Sequence, residues 1–192
     1  MVRPFRHLGT IFEELSIEET ANSLTHGFGL VLSLIGFAFL LGLAIVKGDG
    51  WHLASSVVYG MSLVILYAAS TVYHTSVRPE LKRRLQVLDH CCIYLLIAGS
   101  YTPFALIVLR ESVGTALLIV VWVGAALGVA MKIIFPGRFT AGGMILYLTM
   151  GWLGVIAIQP LYMALGMAPL TLVVAGGLSY TFGVIFFGLH RR

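Results

Sequence analysis

LYAASTVYHTSVRPELKRR, residues 66–84, opens on the end of a long apolar run and closes on four basic side chains, Arg78, Lys82, Arg83 and Arg84. Between them stand Ser70 and, one helical turn later, His74. An apolar run stopped by lysine and arginine is the pattern of a helix leaving a bilayer, because cationic side chains gather where a span meets the cytoplasm. The rest of the chain agrees. Apolar residues make up 59% of the 192, charged residues only 10%, and the mean hydropathy is +0.97. Ordinary soluble domains are about a quarter charged. A chain of this size cannot hide so much apolar surface inside itself, so lipid must cover it.

A membrane-crossing helix needs about 20 mostly apolar residues. Six runs qualify, at 22–46, 53–76, 86–109, 113–135, 140–159 and 168–189. The connections KGDGWH, SVRPELKRR, RE, FPGR and QPLYMALGMAP are short and hold the helix breakers. No linker divides the chain. The predicted fold is an all-α integral membrane protein, a helical bundle of six transmembrane helices. It forms a single membrane domain over 1–192, with 1–21 as a cytoplasmic segment and 22–189 as the bundle. No signal peptide is evident, since a polar, acidic segment precedes the first run.

The basic residues orient it. With a cytoplasmic N-terminus, the inner segments hold Arg3, Arg6, Arg78, Lys82, Arg83, Arg84, Lys132, Arg138, Arg191 and Arg192, and the outer ones hold Lys47 and Arg110. Ten against two favours N-in, in the plasma (inner) membrane. The net charge of +4 is spread over such clusters, so it points to a bilayer and not to nucleic acid. The expected partner is membrane lipid.

Ser16-Ile17-Glu18-Glu19 has the form of a capping box, in which serine and glutamate each satisfy an orphan N–H. Glu19, Asn22 and His26 then fall on one helix face. Upstream, GTIFEEL is able to lie on the membrane surface, although its acidic pair opposes binding to anionic lipid. Gly124 and Gly128 form a G-x-x-x-G, and Gly142, Gly143, Gly176 and Gly177 lie within spans, where small residues let helices approach. Thr102-Pro103 should kink the third span and free a carbonyl. The adjacent Cys91 and Cys92 read as small apolar side chains.

Asp89 changes the picture. It sits inside the third run, where a carboxylate costs on the order of 2.5 kcal/mol or more at mid-bilayer, and somewhat less nearer the interface. Such an acid faces the protein interior and marks a functional site. His74 lies roughly 6 Å inside Arg78, and Asp89 roughly 7–8 Å inside Arg84, at 1.5 Å per residue. The two helices are antiparallel neighbours, so His74, Asp89 and, one turn deeper, Ser70 belong to one polar layer. A neutral imidazole is a good zinc ligand, an acid can hold and deprotonate water, and a serine can donate to an oxyanion. The sequence offers one ligand in this layer and a shortage of others. His26 adds to the layer, whereas His7, His52 and His190 lie in terminal or connecting segments.

ETANSLTHGFG (19–29), STVYH (70–74) and LDHCCIYLLIAGSYTPF (88–104) resemble the hemolysin III family. That is the bacterial branch of the progestin and adipoQ receptor superfamily, which includes the adiponectin receptors. The resemblance implies seven helices, a cytoplasmic N-terminus and a zinc ion near the cytoplasmic face. It would make His74 a metal ligand, Asp89 the acid that holds a zinc-bound water, and Ser70 the nearby serine. The catalytic candidates are thus Ser70 and Asp89, and the metal candidates His74 and Asp89. The family's other two ligands come as H-x-x-x-H in a seventh helix. The chain stops at FFGLHRR, about where the connection to that helix should begin, so zinc binding is expected to be weak or nil. Two functions follow from the resemblance. One is zinc-dependent hydrolysis of lipid amides or esters. The other is a receptor-like or membrane-perturbing, haemolytic protein with a structural metal. A proton-coupled transporter ranks last, for want of paired broken helices.

Overall fold

The computed structural model describes residues 16–138 and 140–190, with side chains for all of these except 140, 141 and 187–190. GTIFEEL, Arg3, Arg6, His7, the side chain of His190, Arg191 and Arg192 lie outside what is described. The described residues form helices and turns alone: α1 (Ile17–Lys47), α2 (Gly50–Thr75), α3 (Pro79–Pro103), α4 (Gly114–Ile134), α5 (Thr140–Trp152), α6 (Ile158–Leu165) and α7 (Met167–His190). Within them are six segments long and apolar enough to cross a membrane. A bilayer core offers no water to satisfy a bare backbone, which is why each span is helical. The fold falls into two compact units, one up to Leu96 and one from Ile97 onward.

In the first unit, α1 begins at Ser16, whose side chain accepts from the Glu19 amide at 3.2 Å. Only the serine half of the anticipated capping box forms. The Glu19 carboxylate is used elsewhere, as described below. Asp49 caps α2, accepting from the amides of Trp51 and His52 at 2.9 and 3.0 Å. The His52 side chain adds a bond of 2.7 Å to the same oxygen. These bonds, the His52 side chain's above all, hold the exposed Asp49 carboxyl at about 2. α3 starts at Pro79, earlier than the apolar run, because PELKRR is polar yet helix-forming and proline suits a first helical position.

α1 and α2 pack closely because glycines stand where rings need room. A Cβ on Gly29 would fall 2.5 Å from the Tyr67 ring, and one on Gly60 would clash with the edge of the Phe37 ring. Gly36 is different, with nothing within 4 Å of its would-be Cβ. Gly60→Ala is therefore expected to destabilise the protein by about 1–3 kcal/mol through overpacking, and Gly36→Ala to stay close to neutral. Unfolding of each in SDS-containing mixed micelles checks the contrast.

The second unit departs from the expected pattern in two places. The expected kink at Pro103 appears as a wide π-helical turn over Phe104–Val108, closed by the Leu109 amide on the Phe104 carbonyl at 2.8 Å. Just before it, the Thr102 hydroxyl donates to the Ala98 carbonyl at 3.0 Å and accepts from Trp122 Nε1 at 3.2 Å. The fifth span, read as one run ending near 159, is broken. α5 stops at Trp152, Leu153–Ala157 winds as a 3-10 turn, and α6 runs on to Leu165, through residues read as a connection. Pro160 is the third residue of α6, where its missing N–H costs no helical bond. Tyr101 holds the break. Its hydroxyl donates to the Gly151 carbonyl at 2.7 Å and accepts from the Gly154 amide at 2.9 Å. Gly166, at φ +75°, turns the chain into α7. The expected small-residue packing appears at Gly124 against Met150 and at Gly177 against Trp152, whereas Gly176 faces open space.

Candidate functional site

Polar side chains of α1, α2 and α3 gather at the end of the first unit that carries Lys82, Arg83 and Arg84. Glu19 stands in the first turn of α1. One of its oxygens accepts from His74 Nδ1 at 2.7 Å and the other from Lys82 Nζ at 2.7 Å. One carboxylate thus joins three helices. An ionised carboxylate has no proton to give, so Nδ1 is the donor. Lys82 also lies 5.5 Å from the centre of the Tyr73 ring. Tyr73 tilts against His74 and accepts from Gln86 Nε2 at 3.2 Å.

Two turns further into α1 is His26, whose Nδ1 shares a 2.6 Å hydrogen bond with Ser70 Oγ. Ser70 is 2% exposed. Its recorded hydrogen bond goes across to α1, where the bland reading of a mid-helix serine would send it back to its own helix. The His26 ring meets His74 edge-on at 5.3 Å and Tyr67 at 5.9 Å. Asp89 of α3 is 9% exposed, and its charge acts on His26. His26 is thus the hub: bonded to Ser70, packed on His74, and within electrostatic reach of Asp89.

The structure brings Ser70 and His74 together through His26. It gives His74 to Glu19 and not directly to Asp89. Sequence reasoning had left Glu19 as half of a capping box and Lys82 as an orientation signal. The clue was the i, i+7 spacing of Glu19 and His26, which puts both on one face of α1. His52 turns out to be a capping residue, and Cys91 and Cys92 are buried free thiols. Among the described residues, no three His, Cys, Asp or Glu side chains converge so as to hold a metal ion. The described residues do not by themselves fit a zinc site.

Six spanning segments, with half-buried imidazoles beside a buried hydroxyl and a buried carboxyl in the first unit, define a multi-pass membrane protein. The family model described as Haemolysin-III related matches residues 16–192. The chain is 42% identical over 170 residues to the Hemolysin-3 homolog of Bacillus subtilis (strain 168), covering 88% of this chain and 80% of the relative. It is also 42% identical over 170 residues to Hemolysin-3 of Bacillus cereus, covering 88% and 78%. The Monocyte to macrophage differentiation factor of Homo sapiens is 31% identical over 179 residues, covering 88% and 71%. No solved structure matches the chain. The chain belongs to the haemolysin III family.

Proposed function

We propose that this family member hydrolyses lipid amides or esters at the His26–Ser70–His74–Asp89 layer, on the cytoplasmic side of the plasma (inner) membrane. The observation that supports this most is Asp89, a buried acid on a membrane helix of the same unit as the imidazole bonded to Ser70. In a water-poor site, a carboxylate and an imidazole are suited to take the proton of an attacking water and return it to the departing amine or alkoxide. The net reaction adds water across the acyl bond. Ser70 sits where it can turn its hydroxyl toward the developing oxyanion. The cationic residues beside the layer support the cytoplasmic placement.

We also propose zinc as the metal, with Nε2 of His74 as one ligand. A complete set would draw on side chains beyond those described, and no step above passes through the ion. Its chemistry when bound would be to activate water.

The test uses the whole chain purified in mild detergent, with an acyl-sphingoid amide and a glycerolipid ester as substrates and metal content measured in parallel. His74→Ala is expected to lower turnover by on the order of 100-fold or more and to reduce any bound zinc. Turnover of neither substrate by zinc-supplied protein would overturn the hydrolase reading. The names of the two Bacillus relatives favour a second reading, membrane perturbation. Dye leakage from vesicles, equal for the parent protein and Asp89→Asn, would then be the expected result.

A further inference from the structure

The first turns of α3 carry two unlike faces. Lys82, Gln86 and Asp89, at i, i+4 and i+7, turn inward. Lys82 reaches Glu19, Gln86 donates to Tyr73, and Asp89 is buried. Leu81, Arg84 and Leu88, at i, i+3 and i+7, form a second stripe that points elsewhere. Leu81 is 45% exposed and Leu88 49%. Arg84 stands exposed between them. Apolar side chains left open on a membrane helix meet acyl chains, and an arginine between them shares that surroundings.

The level of Arg84 follows from length. The span Pro79–Val108 has 30 residues, or about 45 Å at 1.5 Å per residue. A hydrocarbon core is ~30 Å thick, and the bilayer with its headgroups about 40–45 Å. The helix therefore runs on through a headgroup layer of about 5–7 Å at each end. Arg84 is five residues in from Pro79, roughly 7.5 Å along the axis. That is where headgroups give way to hydrocarbon. The charges around it are unbalanced. Of the four cations Arg78, Lys82, Arg83 and Arg84, Lys82 is answered by Glu19 at 2.7 Å and Arg83 by Glu80 at 3.0 Å. Glu80 is one turn from Arg84 as well, but its carboxylate goes to Arg83. Among the described residues, Arg78 and Arg84 make no ion pair.

We propose that the outward stripe of α3 binds an anionic phospholipid, with Arg84 on the phosphodiester and Leu81 and Leu88 against the acyl chains. A guanidinium fork matches two phosphate oxygens. Its stem lies along apolar surface while its charge reaches up to the phosphates. Leucines on both sides select a phosphate that comes attached to hydrocarbon over a free one. The unanswered charge of Arg78, at the same helix end, favours an anionic headgroup over a zwitterionic one. The stripe is turned away from Glu19, Lys82 and Asp89, so the inference stands whether or not the protein hydrolyses lipid.

The experiment reconstitutes the full chain in phosphatidylcholine vesicles with a trace of phosphatidylglycerol that carries a photoactivatable group near its glycerol. Cross-linked peptides are then mapped. Labelling is expected to concentrate on 77–88, to be competed by unlabelled phosphatidylglycerol, and to exceed that from phosphatidylcholine with the same group. Arg84→Gln should lower it by about fivefold, which is ~1 kcal/mol for one basic residue at an anionic surface. Arg138→Gln removes the same charge from an exposed position in the second unit and should leave it unchanged. Helical content and SDS resistance confirm that both variants fold. Equal labelling from the two lipids would overturn the proposal, as would indifference to Arg84→Gln. An equal loss in Arg138→Gln would reduce the effect to overall charge and overturn the site. Loss of labelling on adding inorganic phosphate at constant ionic strength would give Arg84 to a free anion and overturn the lipid assignment.

Discussion

Asp89→Asn is expected to fold and insert as the parent chain does, and to lose lipid amide or ester turnover by about 10²–10⁴-fold, the usual share of a general acid or base. The substitution keeps shape and removes charge. A carboxylate at membrane depth is costly and its amide is cheaper, so the variant loses nothing in insertion. What it loses is the negative charge acting on His26 and a group able to accept a proton from water. Turnover of both lipid classes, measured beside SDS resistance and helical content, separates chemistry from folding. Turnover within about threefold of the parent, a difference of under 1 kcal/mol, would remove Asp89 from the reaction.

The largest stability effect is expected at Tyr101. Tyr101→Phe deletes one hydroxyl and strands two backbone groups, the Gly151 carbonyl and the Gly154 amide. Each unsatisfied buried group costs about 1–3 kcal/mol, so the expected loss is roughly 2–4 kcal/mol. Interhelical bonds in membranes commonly contribute less, about 0.6 kcal/mol on average, because the freed groups find other partners. Here the stranded groups flank a turn that has already left the α-helical ladder, and hydrocarbon offers no substitute. Reversible unfolding in SDS-containing micelles measures it. A loss under about 0.5 kcal/mol, near that membrane average, would mean that the break at Leu153–Ala157 is held by something other than Tyr101.

Hydropathy found the six spans because lipid contact is a property of composition, and composition is in the chain. It did not find where helices extend past the bilayer. α3 starts at Pro79 and α6 runs to Leu165 on residues chosen for helix propensity and capping, which an apolar window ignores. The break after Trp152 was hidden for a related reason. Nothing near Gly151 or Gly154 announces that a tyrosine fifty residues earlier will bridge them. Depth counting brought Ser70, His74 and Asp89 to one level, since rise per residue is fixed. Partner choice was beyond it. That His74 turns to Glu19, and that His26 takes Ser70, depends on how α1 rotates against α2, which Gly29 and Gly60 decide through the rings they admit. Glu19 was masked by its own plausibility as a cap, because the same residue type serves both roles.

The three-way link at Glu19 also constrains how the molecule is made. That carboxylate emerges from the ribosome 55 residues ahead of His74, and Lys82 comes later still. Until then the Glu19 carboxylate lacks both cationic partners, and a lone charge at a helix end favours water over hydrocarbon. The link is complete only once the third helix has been made, so none of these three helix ends reaches its final set of contacts before the other two exist.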